Sequence, residues 1–252
     1  MNPLPAALIF FTRLPFGRIF RADAESFRHI LPCWPLTGWL TGGLAAAVLW
    51  LAAQALPLSV ATVLALGARI LLTGALHEDG WADFLDGFGG GRTREQTLAI
   101  MKDSATGTYG TAGLALYFLL QWSVLSTLPL PAACGLMAGA DAWSKAVAAQ
   151  LGYFLPYARR ETESKSLAAY ARMSRPAAAF AILCGLPPLL LFLPVRIWPA
   201  ALFPLFVFPF LLRMMQKRLQ AYTGDCCGAT FVACEISFYA GAALFASLQT
   251  TH

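Results

Sequence analysis

Charge is scarce in this chain. Only 12% of its 252 residues are charged, and 13 are acidic, where an average soluble domain is about 25% charged. A soluble protein is therefore a poor reading. Cysteine chemistry is missing as well. Cys33, Cys134, Cys184, Cys226, Cys227 and Cys234 make no CxxC pair and no metal-ligand spacing, so neither a thiolate metal centre nor a disulfide framework is expected. Several fall inside apolar runs, where a thiol packs as a small hydrophobe. The opening MNPLPAALIFFTR has no basic leader region and too short an apolar run for a signal peptide. No low-complexity linker, repeat or second soluble domain breaks the pattern, so residues 1–252 read as a single transmembrane domain.

What the chain has in quantity is apolar sequence: 58% of residues are hydrophobic and the mean hydropathy is +0.61. An all-α polytopic integral membrane protein follows. Runs of about 17–25 apolar residues can cross a bilayer as helices, and seven are expected, near 35–56, 58–76, 107–127, 132–154, 177–194, 198–213 and 229–249. Pro187, Pro188, Pro194, Pro204 and Pro209 should kink or break the fifth and sixth. Gly38 and Gly42 have the spacing of a close helix contact. With seven spans, every Lys and Arg but Arg69, Lys145 and Arg196 falls on one side of the membrane. Basic residues are retained in the cytoplasm. The net charge of +5 thus reads as topology, not nucleic-acid binding, and the N-terminus and polar segments are placed on the cytoplasmic face.

One cytoplasmic stretch, HEDGWADFLDGFGGG at 77–91, gathers Glu78, Asp79, Asp83 and Asp86 within nine positions. On a helix, Asp83 lies roughly 40° from Asp79 and Asp86 roughly 20° to the other side, so three carboxylates share one face. Glu78 lies off that face by about 100°. Like charges one turn apart destabilise a helix, and no Lys or Arg occurs between Arg69 and Arg92 to compensate. A solvated amphipathic helix is the bland alternative. A divalent cation is the sharper one, since Mg²⁺ commonly combines one or two carboxylates with substrate phosphates. The lone His77 either ligates directly or supports a ligand.

Downstream, FGGGRTREQTLAIMKDSATGTYG adds Arg92, Lys102 and Asp103. Carboxylates for metal followed by bases for phosphate oxygens are the parts of phosphoryl transfer, which is largely positioning and charge neutralisation. Residues 77–106 are thus the expected metal and pyrophosphate segment. Asp141 and Lys145 form an i,i+4 pair in the fourth span, equally suited to a structural ion pair or a site. Arg69 either snorkels or faces the site. Thr223 or Asp225 suits a helix cap, while Glu235 inside an apolar helix is harder to dismiss.

HEDGWADFLDG, then IMKDSATGTYG, then TGDCCGA resemble the cobalamin synthases, the adenosylcobinamide-GDP ribazoletransferases. FFTRLPFG, CWPLTGWLTG and YARRE at 157–161 are similar to further parts of that family, and the likeness spans nearly the whole chain. It implies Asp79, Asp83, Asp86 and Asp103 as the Mg²⁺ set, with Asp83, Asp86 and Asp103 catalytic. It implies Arg92, Lys102, Lys145, Thr223, Asp225 and Glu235 as substrate contacts, with His77 and Glu78 supporting. This chain departs from the pattern at Gln220-Ala221, where Gly-Gly is usual, at Cys227 for leucine, and at Lys145 for arginine. Lysine keeps the charge but loses the bidentate fork.

The implied activity is a late step of vitamin B12 assembly in a bacterial inner membrane. Adenosylcobinamide-GDP is joined to α-ribazole, or its 5′-phosphate, giving adenosylcobalamin, or its 5′-phosphate, and GMP. The lipid bilayer is the expected environment, nucleic acid is not an expected partner, and a homo-oligomer is left open. Competing readings are a CDP-alcohol phosphotransferase, whose motif differs after DGxx, a membrane prenyltransferase, which usually carries two Asp-rich motifs, and a cation transporter, which needs acids at mid-bilayer depth in several spans.

Overall fold

A computed structural model describes residues 2–158 and 170–247. Helices make up most of it. Asn2 caps α1 (Pro3–Phe11), its side chain accepting from Leu4 N. The short α2 (Phe16–Ile19) and α3 (Ala24–Arg28) lead to a 3-10 turn and α4 (Trp34–Ala52). Then come α5 (Leu58–Thr73), α6 (Leu76–Gly90), α7 (Arg94–Ile100), α8 (Thr108–Thr127), α9 (Leu130–Ala149) and the short α10 (Leu151–Phe154). A proline-rich half follows: α11 (Arg175–Phe192), a 3-10 segment Val195–Leu202, α12 (Phe203–Arg218) and α13 (Gly224–Ser247). Among the described residues the structure has no strand beyond an isolated bridge between Tyr157 and Tyr222.

Each expected span overlaps helix, the fourth covering both α9 and α10 and the sixth beginning in the 3-10 segment. Among the described residues four stretches are long and apolar enough to cross a bilayer, Leu31–Ala52, Arg175–Phe192, Val195–Arg218 and Gly224–Ser247, and α5 with α6 makes a fifth if the bent pair is one span. Burial is inverted relative to a soluble protein. Leu71, Phe206 and Leu191 are each at least 70% exposed, whereas Arg69, Asp141, Lys145 and Glu235 are buried. Apolar surface outside and polar groups inside is the arrangement a lipid solvent favours. The protein is an all-α integral membrane protein.

Helix α9 is the axis of the bundle, buried along almost its whole length between α4, α11 and α13. The close approach of α4 depends on missing side chains. A Cβ on Gly38 would stand 2.7 Å from the Ala142 Cα, and one on Gly42 2.8 Å from the Asp141 Cβ. The GxxxG spacing is thus a helix crossing.

The chain does not pass straight from the second span into the acidic stretch. Gly74 and Ala75 both take left-handed backbone, with φ of 68° and 59°, and the axis turns by 88°. Glycine adopts that conformation freely, whereas alanine is strained there. Arg13 N donates to Leu72 O at 2.7 Å and holds the corner against the N-terminal segment. The consequence is that α6 lies across the end of the bundle instead of prolonging α5.

Candidate active site

Helical spacing holds through α6, so Asp79, Asp83 and Asp86 occupy successive turns. Their surroundings differ: Asp79 is exposed, Asp83 is partly buried and Asp86 is buried. The difference comes from α8, whose N-terminus sits on the far end of the stripe. The Asp86 carboxylate accepts from Gly107 N at 2.6 Å and Gly110 N at 3.0 Å. Both are unpaired donors of the first turn, at the positive end of the helix dipole. A Cβ on either glycine would approach an Asp86 oxygen to 2.6 Å, which explains glycine at both positions in GTYG. Asp86→Ala should therefore lower stability by about 1–3 kcal/mol, since it removes two charge-assisted bonds and leaves the buried Gly110 donor unmet. Thermal unfolding in detergent would report the loss, and an unchanged melting temperature would show that the contact holds nothing.

At the other end of the stripe, α6 meets α13. Gly80 lies so close to Asp225 that a Cβ would come within 3.0 Å of its backbone, and Gly228 faces the His77 carbonyl in the same way at 3.1 Å. This contact brings Asp79 and Asp225, 146 positions apart in the sequence, to one cleft of about 310 Å³. Phe11, Trp34, His77, Tyr157 and Tyr170 also line it. Burial pushes the Tyr170 and Tyr222 phenols up, so both stay neutral. Thr223 caps α13: its Oγ1 accepts from Cys226 N at 3.2 Å and donates to Asp225 Oδ2 at 3.3 Å.

The remaining expected residues separate into two places. Arg92, Lys102 and Asp103 are exposed on the segment joining α6 to α8, where Asp103 Oδ1 accepts from Ala105 N at 3.1 Å. Lys145 and Glu235 lie within the bundle at 0% exposure. Glu235 accepts from Arg69 at 2.5 Å, Tyr117 at 2.5 Å and Gln121 at 2.9 Å. Lys145 pairs with Asp141, and Thr41 donates to the same carboxylate at 3.0 Å. Arg69 also reaches Asp141 at 3.8 Å, joining the two groups into one network. Glu78, 5% exposed, has one carboxylate oxygen without a hydrogen-bond partner. Arg159, Arg160 and Glu161 of YARRE lie outside the described residues.

Sequence reasoning missed the parts that lock this end of the bundle. Thr93 and Gln96 form a reciprocal capping box at the start of α7, a signal present in TREQ. Arg94 donates to Leu219 O at 3.0 Å, and Arg218 donates to Gly91 O. Nothing in the local sequence announces those pairings.

A family model described as cobalamin-5-phosphate synthase matches residues 3–243. The chain belongs to the cobalamin-5-phosphate synthase family. Proteins named adenosylcobinamide-GDP ribazoletransferase are similar along most of their length. That of Shewanella frigidimarina is 37% identical over 95% of this chain and 93% of its own. That of Ralstonia pickettii is 39% identical over 88% and 87%, and that of Leptothrix cholodnii 38% over 93% and 92%. No solved structure matches. Membership of the cobalamin synthase family sets aside the CDP-alcohol phosphotransferase, prenyltransferase and transporter readings. The geometry agrees on the last, because the acids within the bundle are closed into ion pairs with Arg69 and Lys145.

Proposed function

We propose that the protein transfers the phospho-cobinamide group of adenosylcobinamide-GDP to α-ribazole, or its 5′-phosphate, releasing GMP. The observation that carries this is the family match over nearly the whole chain, together with Asp79, at one end of the α6 carboxylate stripe, lining a cleft with Asp225. The hydroxyl oxygen of the ribazole sugar attacks the phosphorus bearing cobinamide, the bond from that phosphorus to the GMP oxygen breaks, and the hydroxyl proton passes to a carboxylate.

Among the described residues no group of three or more His, Cys, Asp or Glu is placed to hold a metal by itself. The donor set still fits Mg²⁺ in its usual phosphate-dependent form, because Asp79 and Asp83 offer hard oxygen ligands one turn apart and substrate oxygens complete the shell. When bound, Mg²⁺ would neutralise charge on the pyrophosphate and the leaving GMP. Asp86 serves chiefly to fix α8 beneath that site. Arg92 and Lys102, exposed at the same end, bind non-bridging oxygens. In this reading the seven helices α4, α5, α8, α9, α11, α12 and α13 span a bacterial inner membrane, with α6 and the N-terminus on the cytoplasmic face.

The test is purified protein in detergent or liposomes with adenosylcobinamide-GDP, α-ribazole and Mg²⁺. GMP and a cobalamin product are expected, both lost with EDTA. If neither forms, the assignment fails.

A further inference from the structure

The cleft beside Asp79 has a wall that the phosphate chemistry does not use. Its rings touch in sequence. Tyr157 meets Tyr170 at 5.1 Å between centroids, Tyr170 meets Phe10 at 6.2 Å, and Phe10 meets Phe11 at 5.0 Å. Phe11 then stacks on Trp34 at 5.1 Å, and Trp34 meets His77 at 5.4 Å. Two nitrogens in this belt are orphaned. Trp34 Nε1 and His77 Nε2 are buried and have no hydrogen-bond partner among the described residues, on side chains 0% and 3% exposed. Buried polar atoms are almost always paired, and leaving one unpaired is costly. Two on one aromatic wall mark a place where something bound supplies the partners.

Flat rings, a pair of unmet nitrogens and two acids at the opening select a heteroaromatic base carried on a sugar. Resting on the proposed transfer reaction, we propose that this cleft seats the base of the α-ribazole acceptor, with Trp34 donating to its one free ring nitrogen and His77 pairing with a hydroxyl of its sugar. Both substrates bring such a base. Guanine carries donors and acceptors around its edge and would need several partners. The benzimidazole of ribazole is apolar at its edges, with a single ring nitrogen free to accept a hydrogen bond. An aromatic wall with two unmet buried nitrogens, rather than a ring of donors and acceptors, fits the second. Trp34 is a donor only, while His77 Nε2 donates or accepts according to tautomer. The sugar hydroxyls of a base seated there reach the Asp79 and Asp225 end of the same cleft, where the attacking oxygen is needed.

The experiment measures KM separately for α-ribazole and adenosylcobinamide-GDP in Trp34→Phe, which keeps a ring and deletes the N–H, and in Tyr170→Leu, which deletes part of the wall. Loss of one hydrogen bond or one ring face corresponds to about tenfold in affinity. KM for α-ribazole should therefore rise by about that factor in each variant, with KM for adenosylcobinamide-GDP near wild type. An unchanged ribazole KM overturns the inference. So does a rise confined to adenosylcobinamide-GDP, which would place guanine in the cleft. Titration of wild-type protein with α-ribazole alone, and with GMP alone, separates the two failures. If no turnover occurs yet α-ribazole binds and both variants weaken it, the reaction is wrong and the cleft assignment stands. If turnover is normal and neither variant weakens ribazole binding, the reverse holds. Should Trp34→Phe fail to fold, Tyr170→Leu and the titration still decide.

Discussion

Asp83→Asn should reduce GMP release by at least about a hundredfold while leaving membrane insertion intact. The side chain sits at the middle of the α6 stripe, partly buried, between an exposed neighbour in the cleft and a buried one at the α8 N-terminus. Replacement by asparagine preserves shape and one acceptor oxygen but removes the charge. Single electrostatic or proton-transfer groups are worth about 10²–10⁴ in rate. Asp86→Asn is the control: it acts on stability through Gly107 and Gly110, so its melting temperature should fall before its rate does. If Asp83→Asn turns over at near wild-type rate, Asp83 neither binds metal nor takes the proton, and the chemistry must move to Asp79 and Asp225.

The contrast between these two aspartates shows where sequence reading stops. The shared face of Asp79, Asp83 and Asp86 followed from helix periodicity alone, and α6 is helical throughout. Periodicity says nothing about what approaches that face. The occupant of Asp86 is a helix end 21 residues later, and glycines at 107 and 110 signal it only once the approach is known. The 88° corner was hidden for a similar reason. Gly74 permits left-handed backbone and could have raised suspicion, but Ala75 gives no local sign of adopting it. The cleft is assembled from Phe11, Trp34, His77 and Asp225 on four separate helices. The resemblance recognised the motif glycines as a pattern; the physical reason for Gly80 and Gly228 is the α6–α13 contact.

The buried charges yield the second large effect. Glu235→Leu should destabilise the fold by about 3–5 kcal/mol, because it leaves the Arg69 guanidinium buried without its main counter-charge. Three donors converge on that carboxylate from two helices: Arg69 of α5, with Tyr117 and Gln121 of α8. Removing the acid leaves the Arg69 guanidinium chiefly to neutral acceptors, Tyr117 at 2.6 Å and Gln121 at 3.3 Å, in an interior that lipid surrounds. The second carboxylate within reach, Asp141, stands farther from Arg69, at 3.8 Å, and is already paired with Lys145, so it replaces Glu235 poorly. Arg69→Met in the Glu235→Leu background removes the stranded charge, and the double variant should recover part of the loss, giving a coupling of about 1–3 kcal/mol in the double-mutant cycle. Thermal unfolding of all four proteins in one detergent measures it. Strict additivity would mean that the pair is not one unit. It would also return Glu235 to candidacy as a substrate contact, since a carboxylate that does not hold the bundle together needs another reason to be buried in it. With strong coupling, Glu235 and Arg69 are the tie that fixes α13 to α5 and α8, and Glu235 needs no substrate to account for its burial.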